Sequence, residues 1–147
     1  MALNCEVVMR GPDGERTITV DELYAGFYET VLESGEIITE ARVSRAPDAS
    51  SYTKVKRKTG DYAAAAIGVA LNMSGGEIED VGIGMCGIGS TTLRAREAEE
   101  LLRGQRPDAE LRKRAGERAA EESDPFEDAR GTVPYKRDLD VCCVVCE

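Results

Sequence analysis

Two stretches constrain the fold more than any other part of the chain: Ala64–Met73 and Ile78–Cys86, separated by Ser74-Gly75-Gly76. Both alternate with a period of two, the pattern of half-buried strands. In the first, Ile67, Val69, Leu71 and Met73 share one face, and Ala66, Gly68 and Ala70 share the other. In the second, Val81, Ile83 and Met85 lie opposite Gly82 and Gly84. The Gly-Gly turn joins them as a hairpin. With the strand-like stretch Tyr52–Lys58 they predict a three-stranded antiparallel sheet, bulky on one face and nearly smooth on the other. A smooth Ala/Gly face admits a close backbone or helix. Gly82 and Gly84 are therefore expected beneath helices.

Gly82, Gly84 and Gly87 also spell G-x-G-x-x-G. A dinucleotide loop needs its third glycine in the first helical turn, then a second parallel strand with a ribose-binding acid about 20 residues on. Here Ile88-Gly89 follow the third glycine, and N-caps are offered only at Ser90, Thr91 and Thr92. The position for the acid falls near Gly104-Gln105-Arg106, at a helix end. The glycines read as sheet-face residues, not as a nucleotide loop.

Upstream, Cys5–Arg10 and Arg16–Val20 flank Gly11-Pro12-Asp13-Gly14 and predict a hairpin. Asp21 reads as the cap of a helical turn, and Glu36–Val43 as a further strand. Residues 44–50, with Pro47, form the expected boundary between two units. Downstream the pattern turns helical. Leu93, Ala98, Leu101 and Leu102 make an apolar stripe ended by Gly104, Asp108 can cap a second helix, and Pro134 suits the first turn of a third. Strands followed by helices indicate an α+β fold.

Composition narrows the chemistry. The chain of 147 residues is long enough to bury a core without disulfide or metal, and it contains no histidine. That excludes His-based triads, bases and metal ligands within it. The net charge of −9 argues against nucleic acid as partner. The longest apolar run, within AAAAIGVAL, is too short to span a bilayer. Five cysteines and no evident secretory signal suggest a cytoplasmic protein. Cys142, Cys143 and Cys146 give a single C-x-x-C with no second pair for zinc. With Tyr135 and Leu139, Cys142 and Cys146 fall on one helical face, which favours packing over redox or metal use. No catalytic constellation and no metal-ligand set is evident.

Several stretches together resemble a known family. They are Gly11-Pro12-Asp13-Gly14-Glu15-Arg16, Tyr28–Leu32 leading to Gly35–Glu40, and Ser51–Ala63 with its Lys54-Val55-Lys56-Arg57-Lys58 and Gly60-Asp61. Gly87-Ile88-Gly89 running into Arg94–Glu99, Asp124-Pro125, Arg130-Gly131 and Tyr135-Lys136-Arg137 complete the set. The chain resembles the C-terminal half of the flavoprotein (medium) subunit of molybdenum hydroxylases, of the carbon monoxide dehydrogenase and xanthine dehydrogenase type. The resemblance implies that residues 1–45 are the tail of an FAD-binding (PCMH-type) domain. It implies that residues 46–147 are a C-terminal domain with a three-stranded sheet packed on a helix bundle.

The family's N-terminal half, whose glycine-rich loops hold the FAD pyrophosphate, has no counterpart in these motifs. FAD is thus expected only in a complete subunit. Its implied neighbours are Ile38 against the isoalloxazine face, Lys54 near the pyrimidine edge, and Gly60-Asp61 bordering the same site. An ammonium near N1 and C2=O favours reduced flavin, which carries negative charge there. Without the resemblance, Ile38 reads as plain core, Lys56, Arg57 and Lys58 as a solvated strand face, and Asp61 as a strand end. The implied partners are a molybdopterin-binding large subunit and an iron–sulfur small subunit. The implied role is electron transfer from iron–sulfur centres through FAD to an acceptor.

Two departures stand out. Ser90-Thr91-Thr92 replace a proline usual after the G-x-G turn, and Asp140–Glu147 replace a longer Leu/Arg-rich helix. They keep open two alternatives: a subunit-interaction module without flavin, and a degraded gene product.

Overall fold

The computed structural model describes residues 1–145. The first sheet has β1 (Glu6–Gly11), β2 (Gly14–Thr19) and β5 (Ile37–Arg42) in the order β2-β1-β5, all antiparallel. The expected hairpin is present, with Gly11 paired to Gly14 across Pro12-Asp13. Val7 and Met9 of β1 are buried with Leu23 in a small core, flanked by Ile18, Val20 and Leu32. Arg16 locks the following segment in place. Its guanidinium donates to both carboxylate oxygens of Glu36 at 2.7 Å and to the Val31 carbonyl at 2.8 Å. The Arg16 guanidinium and the Glu33 backbone N–H hold the Glu36 carboxyl down at about 2.

The expected cap at Asp21 is displaced. A single 3-10 turn, Val20–Glu22, is capped two residues earlier by Thr19, whose backbone N–H and hydroxyl both donate to the Glu22 carboxylate. Thr19 and Glu22 satisfy the three-residue spacing of a reciprocal cap, which Asp21 does not. A short hairpin follows, β3 (Tyr24–Gly26) with β4 (Glu29–Thr30). Tyr28 at its tip takes φ 55 and is 93% exposed.

The second sheet contains β6 (Ala49–Val55), β7 (Ala65–Ser74), β8 (Glu77–Cys86) and β9 (Leu93–Arg94), in that order and antiparallel. The three expected strands are joined by the two-residue β9, which pairs Leu93 with Met85 and Arg94 with Gly84. β6 begins before Tyr52 and ends at Val55, so Lys56, Arg57 and Lys58 lie in the connection beyond it. Gly75 and Gly76 make the β7–β8 turn with φ of 59 and 83, a conformation costly for residues with a Cβ. Ile67 faces Met85, Val69 faces Ile83, and Leu71 faces Val81 across the ladder.

Three helices cover this bulky face: α1 (Arg96–Leu102), α2 (Ala109–Glu122) and α3 (Val133–Val145). Ile67, Ile83 and Met85 are almost wholly buried against Ala98, Leu102, Ala115, Ala119, Cys143 and Val144. Burial of each large side chain is worth about 1.5–3 kcal/mol. Asp108 caps α2 as expected, accepting from the Leu111 N–H at 2.7 Å.

Ser90, Thr91 and Thr92 do not cap α1, because β9 intervenes and the helix starts only at Arg96. The orphan N–H groups of Glu97 and Ala98 donate instead to Glu122 at the far end of α2. Glu99 is 3% exposed; its Oε1 accepts from the Ile83 N–H at 2.8 Å and from Arg94 Nε at 2.7 Å. Arg94 also donates to Asn4.

On α3 the inward face is Lys136, Asp140, Cys143 and Val144, while Tyr135 and Cys142 are exposed. The packing expected of Cys142 therefore falls to Cys143, and Cys146 lies outside the described residues. Lys136 and Asp140 thus occupy inner-face positions that the apolar stripe alone does not predict.

The smooth face is covered by backbone, not by a helix. A Cβ on Gly82 would overlap the Ala2 carbonyl oxygen, and one on Gly84 would sit 3.0 Å from Met1 Cβ. We expect Gly82→Ala to cost about 1–3 kcal/mol by overpacking and Gly84→Ala less. Denaturant midpoints measure both; a Gly82→Ala protein as stable as the parent would contradict the packing of Met1–Ala2.

Candidate functional site

Ile38 is on β5 in the first sheet, opposite Met9 and 46% exposed, so it is not a core residue. Lys54 is on β6, paired with Ala66 and exposed. Gly60 takes φ 82 in the turn between β6 and β7, where the Asp61 N–H donates to the Lys58 carbonyl at 3.2 Å. Asp61 Oδ1 accepts from the Tyr62 N–H at 2.9 Å, so this carboxylate closes its own turn. Among the described residues no ion pair joins Lys54 to Asp61. Lys54, Gly60 and Asp61 thus share the β6–β7 end of the second sheet, and Ile38 stands on the first.

Beside Asp61 the structure opens a groove of about 530 Å³ that none of those four residues lines. Its walls are the β3–β4 hairpin, Tyr62-Ala63, the turn from Gly87 to Thr92, and the segment from Phe126 to Arg130. Phe27 meets Phe126 edge to face, with ring centroids 5.2 Å apart and planes at 75°. The Arg130 guanidinium lies 5.4 Å from the Tyr62 ring centroid. Phe27 is 58% exposed and Tyr62 67%. Aromatic side chains left open in a concave surface mark a place for another molecule or chain.

A buried lysine holds one wall. Lys136 of α3 is fully buried, and its Nζ donates to the Phe126 carbonyl at 2.9 Å. The same nitrogen is 3.1 Å from Asp128 Oδ2 and 4.7 Å from the Phe126 ring centroid. Asp128 also accepts from the Arg130 N–H at 2.8 Å and from its guanidinium at 3.3 Å. Burial pushes the Asp128 carboxyl up, but the Arg130 N–H and the Lys136 ammonium together outweigh it and hold it below its usual range. Arg57 reaches the same segment, donating to the Ala129 carbonyl at 3.2 Å, so one member of the basic run has a structural task.

Sequence reasoning pointed to the β6–β7 end and not to the groove. Its walls come from four separated stretches, and no local spacing joins Phe27 to Phe126. The available signals were Tyr28–Leu32, Tyr62-Ala63, Gly87-Ile88-Gly89 and Arg130-Gly131 with Tyr135-Lys136-Arg137, which read as similarity without a role in a groove.

The family model for the CO dehydrogenase flavoprotein C-terminal domain matches residues 50–144. The chain belongs to this family. A second model, the FAD binding domain in molybdopterin dehydrogenase, matches residues 1–45 of this family member. The carbon monoxide dehydrogenase medium chain of Afipia carboxidovorans is 37% identical over 130 residues, 87% of the present chain and 45% of that relative. The nicotine 6-hydroxylase medium subunit of Paenarthrobacter nicotinovorans is 32% identical, over 95% of this chain and 49% of its own.

A solved structure of carbon monoxide dehydrogenase from Hydrogenophaga pseudoflava, lacking the Mo-pyranopterin moiety of its cofactor, superposes with a TM-score of 0.92. That match has 35% identity and covers 99% of this chain and 51% of that one. This CO dehydrogenase flavoprotein C-terminal family member spans about half the length of the curated relatives it matches. No helix among the described residues is long and apolar enough to cross a membrane.

Lys136→Met should cost about 3 kcal/mol, because it leaves Asp128 and the Phe126 carbonyl without their shared cation. Lys136→Arg should recover part of the loss. Denaturant midpoints, with the near-ultraviolet circular dichroism of the Phe and Tyr rings, provide the check; an unchanged midpoint and spectrum would count against the clamp.

Proposed function

We propose that this chain is the C-terminal half of an FAD-carrying medium subunit of a molybdenum hydroxylase. In that reading residues 1–45 end the FAD-binding domain, and residues 46–147 form the C-terminal domain. The observation that carries it is the ordered match of two adjoining family models over 1–45 and 50–144, in a chain half as long as its relatives. The complete subunit passes electrons from iron–sulfur centres to an external acceptor. A molybdopterin-binding large subunit and an iron–sulfur small subunit are its partners.

The chemistry of Ile38, Lys54, Gly60 and Asp61 suits a flavin ring, with Ile38 on the first sheet and the other three at the β6–β7 end of the second. Ile38 offers an uncovered apolar side chain, Lys54 an exposed ammonium, and Gly60 a backbone without Cβ at positive φ. Bound flavin would supply reversible one- and two-electron chemistry. Ile38 would exclude water from one ring face. Lys54 would place positive charge at the pyrimidine edge, Gly60 would let the backbone approach, and Asp61 would hold the turn through its bond to the Tyr62 N–H.

Two measurements test this reading. The purified chain should carry no flavin absorbance and retain no added FAD, since nothing in it matches the pyrophosphate loops. Mixed with a separately produced FAD-loop half, it should form a flavin-retaining complex. Stoichiometric FAD binding by the chain alone would refute the half-subunit reading. Stable association with the large and small subunits, with no flavin in any combination, would favour an interaction module. In the reconstituted subunit, Lys54→Met should lower the flavin potential by tens of millivolts, about 1 kcal/mol for a two-electron couple. An unchanged potential would return Lys54 to a solvated strand position.

A further inference from the structure

Asp140 is the one carboxylate on the buried face of α3, and it is 0% exposed. Among the described residues neither of its oxygens has a hydrogen-bond partner. Ser123, the C-cap of α2, faces it, but the Ser123 hydroxyl donates to the Ala120 carbonyl at 2.8 Å. A buried carboxylate without donors is costly, whereas the neutral acid costs far less and can donate a proton.

The charged surroundings relieve it only in part, through Arg137. Arg137 on the same helix is exposed, and Lys136 is turned to Asp128. On α2, Glu121 pairs with Arg118, and Glu122 accepts from the first N–H groups of α1. β7, also packed on α3, contributes no titratable side chain. Cys143 follows one turn later on the same buried face.

The same helix carries the Lys136 clamp on the segment from Phe126 to Arg130. Asp140 and that wall of the groove are therefore two attachments of one helix.

We propose that Asp140 is a protonation switch on the joint between α2 and α3: the neutral acid keeps α3 docked, and the carboxylate releases it together with the Phe126–Arg130 wall of the groove. Burial pushes the carboxyl up to about 7, against the opposing pull of Ser123 and Arg137. The folded state then keeps a proton that the unfolded chain has lost. Stability is highest below the ordinary value of 3.8, falls as pH rises towards about 7, and levels off above it.

Hydrogen exchange of the purified 147-residue chain, corrected for intrinsic rates, tests the switch. Between pH 5.5 and 8.5 the amides of Val133–Val145 and of the Phe126–Arg130 segment should open at least about tenfold more, while those of β7 and β8 change less. Asp140→Asn should hold both regions closed at both pH values, and Asp140→Leu should do the same without any hydrogen-bonding group. Equal protection of α3 at the two pH values in the parent chain overturns the proposal. So does a pH-dependent opening that persists unchanged in Asp140→Asn. No cofactor enters the measurement, so its result is separate from that of the flavin reading.

Discussion

The bulky face of the β7–β8 hairpin is the surface on which the three helices depend. α1 has only seven residues, shorter than an isolated helix that persists in water. α2 turns in little beyond Leu111, Ala115, Gly116, Ala119 and Ala120. Neither has enough apolar surface to fold by itself. Ile67, Val81, Ile83 and Met85 supply the common floor, and the small residues of α2 allow the helices to approach it closely. The ladder also organises polar groups, because Glu99 takes the Ile83 N–H and ties α1, β8 and Arg94 together.

Much of this was legible in local sequence. Period-two alternation placed β7 and β8, the paired glycines placed their turn, and Asp108 marked the start of α2, because each depends only on neighbours in the chain. Features set by distant residues were not legible. Ser90, Thr91 and Thr92 look like caps, but the start of α1 is satisfied by Glu122 from another helix. Cys142 looks buried by helical phase, but Lys136 and Asp140 occupy the inner face and Cys142 is exposed. Gly82 and Gly84 correctly signalled a close approach without revealing that Met1 and Ala2 make it.

The candidate site divides along the same line. Lys54, Gly60 and Asp61 are near in sequence and near one end of the second sheet, so similarity of short motifs could single them out as an expectation. Phe27, Tyr62, Phe126 and Arg130 meet only after folding. Their arrangement depends on Lys136, a cation removed from water and held by a carbonyl, a carboxylate and an aromatic ring. A charged side chain is a poor cue for burial, so hydrophobic periodicity misplaces such a residue.

β5 pairs with β1 on one side only, and all six of its residues are exposed. Its free side is a row of backbone donors and acceptors next to Ile37 and Ile38, a ready template for an additional strand. Glu40 and Arg42, ion-paired at 2.7 Å, put charge along the strand and discourage indiscriminate stacking of copies. For anyone handling the isolated chain, this strand is a place where copies can pair edge to edge even though they share a net charge of −9.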